Sequence, residues 1–206
     1  MNPTKTAGGR REQILREAAR LFAERGFHGV GVDEIGAAVG ISGPGLYRHF
    51  AGKDAMLAEL LVGISHRLLS AGRMRVAESD NPPAALDALV RGHIDFAIDD
   101  RPLITLHDRE LDRLRDSDRK LVRQLQRQYV EVWVDVVCQV YPGAPEVEVR
   151  AAVHAVFGLI NSTPHLGARS IPADRGDMAA LLRRLALGAL GTLDDGLPWT
   201  GPRTGG

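Results

Sequence analysis

The stretch VDEIGAAVGISGPGLYRHFAGK, from Val32 to Lys53, constrains this chain more than any other segment. Two short apolar-patterned runs flank Gly40-Ile41-Ser42, three residues suited to stopping one helix and starting the next. Ile35, Ala38 and Val39 stand at i, i+3 and i+4 and share a helix face. Asp33 and Glu34 open that helix, where the dipole favours negative charge. Gly40 follows the last apolar residue, where a left-handed C-terminal cap calls for glycine. Ser42 can cap the second helix, and Pro44 fits a first turn because the N–H it lacks would be unpaired there anyway. Leu46 and Phe50, at i and i+4, turn inward and leave Tyr47, Arg48 and His49 outside. The spacing predicts a helix-turn-helix.

The rest of the chain is helical in pattern. Ile14, Ala18, Leu21 and Phe22 place an amphipathic helix over Arg10–Arg25, stopped by Gly26. A long helix is expected from Lys53 to about Glu78, and Asn81-Pro82-Pro83 marks a loop. Further helices are expected over about 83–99, shortly after Pro102, and over about 116–140, 145–162 and 174–193. No strand pair or Asn-Gly hairpin stands out. The fold class is all-α. A helix-turn-helix domain spans 1–52 with a flexible arm over about 1–9, a larger helical regulatory and dimerisation domain spans 53–196, and 197–206 form a tail.

The exposed face of the second short helix suits nucleic acid. Tyr47 and His49 can donate to phosphate oxygens, and Arg48 can reach a guanine edge or a phosphate. No acid lies between Ser42 and Lys53. The net charge is zero, and residues 1–60 carry 8 Lys/Arg against 7 Asp/Glu, so any DNA-binding bias has to be local. Lys5, Arg10, Arg11, Arg48, His49 and Lys53 supply it, because a few convergent cations suffice on phosphates.

The order Gly26-Phe27, Val32, Ile35, Ala38, Gly40-Ile41-Ser42, Leu46-Tyr47, His49-Phe50 and Lys53 resembles the TetR family of bacterial transcriptional regulators. The resemblance covers about the first quarter of the chain. It implies a DNA contact surface of Ser42, Gly43, Gly45, Tyr47, Arg48, His49 and Lys53. Four positions depart from the pattern. Val30 and Gly31 replace residues that usually carry hydroxyls, and Gly43 and Gly45 replace a basic residue and a hydroxyl. Those glycines offer only backbone N–H groups, which position a protein without discriminating bases.

Two apolar stripes look like an interface, one with Val153, Val156, Phe157 and Ile160, the other with Leu181, Leu182, Leu185 and Ala189. Two such hairpins from two chains would close a four-helix bundle. The resemblance implies a dimer there, in keeping with a palindromic operator. It also implies a small-molecule pocket, for which His93, Phe96, His107, Tyr129, Trp133, Phe157 and Asn161 are the material: mostly apolar, with a few polar groups. A large apolar ligand is expected. No catalytic or metal motif, and no cofactor, is read from the chain. The single Cys138, the polar N-terminus and the lack of a long apolar run point to a cytoplasmic protein without a membrane span. The expected function is a ligand-released repressor of an inverted-repeat operator. The alternatives are a helical binding protein or enzyme with a vestigial helix-turn-helix, or a regulator with no effector.

Overall fold

Glycines decide where the first helices stop. In the computed structural model, which describes residues 3–165 and 174–194, α1 (Pro3–Arg25) ends at Gly26, with φ +76°, and α2 (Val32–Ala38) ends shortly before Gly40, with φ +71°. Both lie in the left-handed region, where a side chain is strained and glycine is not. Next come α3 (Gly43–Tyr47), α4 (Lys53–Ala77), α5 (Pro82–Asp99) and α6 (Arg101–Glu110), which runs on into a 3₁₀ turn at Leu111–Arg113. After α7 (Asp116–Val140) and α8 (Glu146–Ile160) a second 3₁₀ turn covers Thr163–His165, and α9 (Arg175–Gly191) closes the series. No strand occurs among the described residues.

Two expectations change. The arm over 1–9 is helical from Pro3 onward. Proline's fixed φ suits a first helical turn, and Gly8 and Gly9 cost a helix only about 1 kcal/mol each relative to alanine. The second short helix is also tighter than expected. It ends at Tyr47, and the chain reaches the buried Phe50 through a turn. The tail over 197–206 lies outside the described residues.

The chain forms two compact units, one of Met1–Leu69 with Asp99–Arg127 and one of Ser70–Ile98 with Gln128–Gly206. This division does not follow a break after residue 52, because α4 continues the first unit through Leu69. In the first unit α1 packs on α2 and α6, and α2 packs on α3. Its core includes Ile14, Phe22, Ile35, Leu46, Phe50 and Leu57. In the second unit α8 packs on α9, around Val153, Val156, Ile160, Met178, Leu182 and Ala186. Each of these side chains larger than alanine, fully buried, contributes about 1.5–3 kcal/mol.

Candidate functional site

Ser42 caps α3 through its side chain, which accepts a hydrogen bond from the Gly45 N–H at 3.3 Å. That N–H is therefore committed within the protein, and Gly45 is buried. Gly43 is buried as well, and a Cβ there would collide with the Asp33 carboxylate. Gly36 plays the same part on the other helix: a Cβ would lie 2.7 Å from the Ile41 carbonyl. The two helices thus meet backbone to backbone across the turn. A basic side chain at 43 has no place in this packing unless Asp33 swings away. At the start of α2, Gly31 is the N-cap and gives no side-chain bond, as the missing hydroxyl foretold.

Tyr47 is 57% exposed, Arg48 is exposed, and His49 is partly buried. The Arg48 side chain makes no hydrogen bond or ion pair among the described residues. Three of the other expected cations are occupied. Lys53 Nζ donates to the carbonyls of Phe27 (2.9 Å) and Val30 (2.6 Å) and sits 4.7 Å from the centre of the Phe27 ring. Arg10 donates to the Val39 carbonyl at 2.8 Å, at the end of α2. Arg11 donates to the His49 carbonyl at 3.4 Å, pairs with Glu59 and covers the Phe50 ring at 4.1 Å. Terminal helix carbonyls lack intrahelical partners, so a cation that reaches them both satisfies them and meets the negative dipole end. Lys53, Arg10 and Arg11, the cations expected near the DNA, therefore hold the motif together.

A further residue escaped sequence reasoning. Glu110, at the end of α6, is buried, and its Oε1 accepts the Phe27 N–H at 3.5 Å. Arg113 pairs with Oε2, though out of line for a hydrogen bond, and also meets His28 Nε2 at 2.5 Å. Phe27 is thus held at its N–H by α6 and at its C=O by α4.

In the second unit six of the seven expected pocket residues converge. His93 is buried, with the rings of Phe96, Tyr129, Trp133 and Phe157 at centroid distances of 5.6, 5.8, 5.9 and 4.8 Å. Burial drives its imidazole down to about 4, opposed by its bond to Asn161, so the ring is neutral near pH 7. One tautomer satisfies both ring nitrogens. Nε2–H donates to Asn161 Oδ1 (3.1 Å), and Nδ1 accepts the Tyr129 hydroxyl (3.5 Å). Burial also raises Tyr129 to about 12. The Trp133 indole polarises the Tyr129 oxygen, yet its Nε1–H is buried with no aligned acceptor. His107, the seventh, belongs to the first unit, where it meets Gln126 at 2.5 Å and Asp108 at 3.5 Å. Among the described residues no His, Cys, Asp and Glu group could hold a metal.

The expected interface residues divide. Val153, Val156, Ile160 and Leu182 are buried within their own protomer, because an α-helical hairpin needs its most apolar stripe for its own seam. Phe157 and Leu181 are partly buried, while Leu185 and Ala189 face outward beside Gly158 and Gly188, which have nothing within 4 Å.

A family model for bacterial regulatory proteins of the tetR family matches residues 14–60, and one for the tetracyclin repressor-like C-terminal domain matches 79–165. The HTH-type transcriptional repressor KstR2 of Rhodococcus jostii (strain RHA1) is 32% identical over 135 residues, 65% of this chain and 66% of that protein, just under two thirds of its length. The HTH-type transcriptional activator FasR of Mycolicibacterium smegmatis (strain ATCC 700084 / mc(2)155) is 34% identical over 87 residues, 42% of this chain and 40% of its own. Among solved structures, the ketosteroid transcriptional regulator KstR2 of Mycobacterium tuberculosis superposes with a TM-score of 0.75 at 25% identity, over 89% of this chain and 94% of that one. The chain belongs to the tetR family of bacterial regulatory proteins.

Proposed function

We propose that this protein is a dimeric, sequence-specific DNA-binding transcriptional regulator that represses from an inverted-repeat operator and is released by a small, largely apolar ligand. The observation that carries the reading is α3: a short capped helix whose inner face is locked by Gly36, Gly43 and Leu46 and whose outer face presents Tyr47, Arg48 and His49. Arg48 reads bases or phosphate; Tyr47, His49 and the exposed Ser42 position the head on the backbone. Functionally, residues 1–52 are the head and 53–196 the regulatory body. The role is binding rather than catalysis, in line with relatives named as transcriptional regulators. The site of action is the cytoplasm, where the DNA is; among the described residues no helix is long and apolar enough to cross a membrane.

Ligand release is assigned to the cluster of His93, Phe96, Tyr129, Trp133, Phe157 and Asn161, whose rings must part to admit a guest. The relative named as a ketosteroid transcriptional regulator supports an apolar ligand with few polar groups. Dimerisation is assigned to the outward face of α8 and α9, with Leu185, Ala189, Phe157 and Leu181, where Gly158 and Gly188 let a second copy approach closely. The relative named as an activator favours one second reading, in which the same head recruits rather than blocks transcription.

The test is a gel shift on the DNA flanking the gene. Binding to an inverted repeat should weaken about 5–150-fold in Arg48→Ala, the loss expected of about 1–3 kcal/mol. Unchanged affinity and sequence preference would remove Arg48 from the interface.

A further inference from the structure

Among the described residues of the second unit one arginine side chain is seated without a partner. The side chain of Arg75, on α4, is partly buried and makes no hydrogen bond or ion pair among the described residues. The other partly paired arginines of this unit have carboxylates: Arg91 and Arg183 meet Asp87, Arg150 meets Glu131 and Glu146, and Arg175 meets Asp95. Arg73 and Arg184, which show none, are exposed to water. Arg75 is not waving in solvent either. Its guanidinium lies flat against α5 at Gly92, where any Cβ would collide with it. A seated guanidinium presents N–H donors in a fixed fork that matches carboxylate and phosphate oxygens.

The position of this fork is informative. Gly92 adjoins His93, the centre of the aromatic cluster. Gly72, one turn before Arg75 on α4, has no Cβ because the Tyr129 ring lies there, 2.7 Å from where one would stand. Residues three apart share a helix face, so Tyr129 and the guanidinium meet the same side of α4. The charge of Arg75 is felt at the Tyr129 hydroxyl. The second unpartnered donor of the cluster, Trp133 Nε1–H, belongs to a residue with no exposed surface. His93, Tyr129 and Asn161 satisfy one another; both leftover groups are donors, and one is a full positive charge.

We propose that Arg75 is the anion-binding residue of the effector site, and that the effector carries a carboxylate or phosphate head on an apolar body that lies among Phe96, Tyr129, Trp133 and Phe157. This rests on the reading that the aromatic cluster is the effector site. Trp133 Nε1–H gives a second donor for an oxygen on the body of the ligand.

Calorimetric titration of the full-length protein with four probes of one chain length tests it: decanoate, decyl phosphate, decanol and decylamine. An anionic probe should bind about tenfold tighter than decanol, the gain expected of one charge-assisted fork, with decylamine weakest. Whichever anion binds more tightly identifies the head. Arg75→Gln should bring both anions to the level of decanol, and Arg75→Lys should keep part of the preference; melting followed by circular dichroism checks that the variants fold. Decanol binding as well as the anions in the wild type, or an equal loss of all four probes in Arg75→Gln, overturns the anion site and leaves the aromatic cluster standing. If none of the four binds, the cluster falls as the effector site and the proposal falls with it.

Discussion

In the first unit the cations near the turn reach backbone carbonyls. Lys53 takes those of Phe27 and Val30, Arg10 that of Val39, and Arg11 that of His49. In the aromatic cluster of the second unit the polar groups bond to one another through side chains, Tyr129 to His93 to Asn161, and leave Trp133 Nε1 and the Arg75 guanidinium over. The first pattern fixes the path of the chain, because these bonds end on main-chain atoms. The second fixes only side chains, which rotate at far less cost than a backbone. A head that must match DNA grooves gains from the former. A site that must open for a guest gains from the latter.

Four substitutions or conditions set these regions against each other. Trp133→Ala should cost the most, about 3–5 kcal/mol in denaturant unfolding, because the ring is wholly buried. A small loss would mean the cluster is loosely packed even without a guest. Acid should act next. The folded imidazole of His93 titrates at about 4 against an ordinary 6.5, so between those values the unfolded chain holds a proton that the folded one does not. Its contribution is full above 6.5 and falls by about 3 kcal/mol as pH drops toward 4. Unfolding curves across that window should show the slope, and His93→Gln should flatten it. An equal slope in the variant would assign it to other groups. Lys53→Met should cost about 1–3 kcal/mol by leaving two carbonyls without their donor, and should weaken operator binding in the gel shift beyond what one lost surface charge explains. The smallest effect on stability, within about 0.5 kcal/mol, is expected for Gly188→Trp, which faces open space in the protomer. The same change should shift the protein to monomer in analytical ultracentrifugation. A dimer that survives it lies elsewhere.

Local chemistry made most of the fold legible. Gly26 and Gly40 stop α1 and α2, Ser42 caps α3, and the apolar period placed α4, α5, α7, α8 and α9 within one to three residues of their ends. The site was less legible, for two physical reasons. An amphipathic stripe shows that a face is buried without saying against what, so Val153, Val156, Ile160 and Leu182 looked like an interface and proved to be the seam between α8 and α9. A lysine or arginine near a DNA-reading helix looks like a phosphate contact. Lys53 and Arg10 instead find carbonyls 23 to 29 residues away, and nothing in the local pattern signals a bond of that span. The convergence of His93, Tyr129, Trp133 and Phe157 agrees with the pocket material that the resemblance implied.

The double hold on Phe27 has a genetic corollary. Both grips close on main-chain atoms, the N–H through Glu110 and the C=O through Lys53. No exchange at position 27 short of proline removes either of them. The mounting of the head is therefore encoded 26 and 83 positions away from the residue being held. A screen for variants with a misaligned head should recover changes at Lys53 and Glu110 while passing over the peptide they grip.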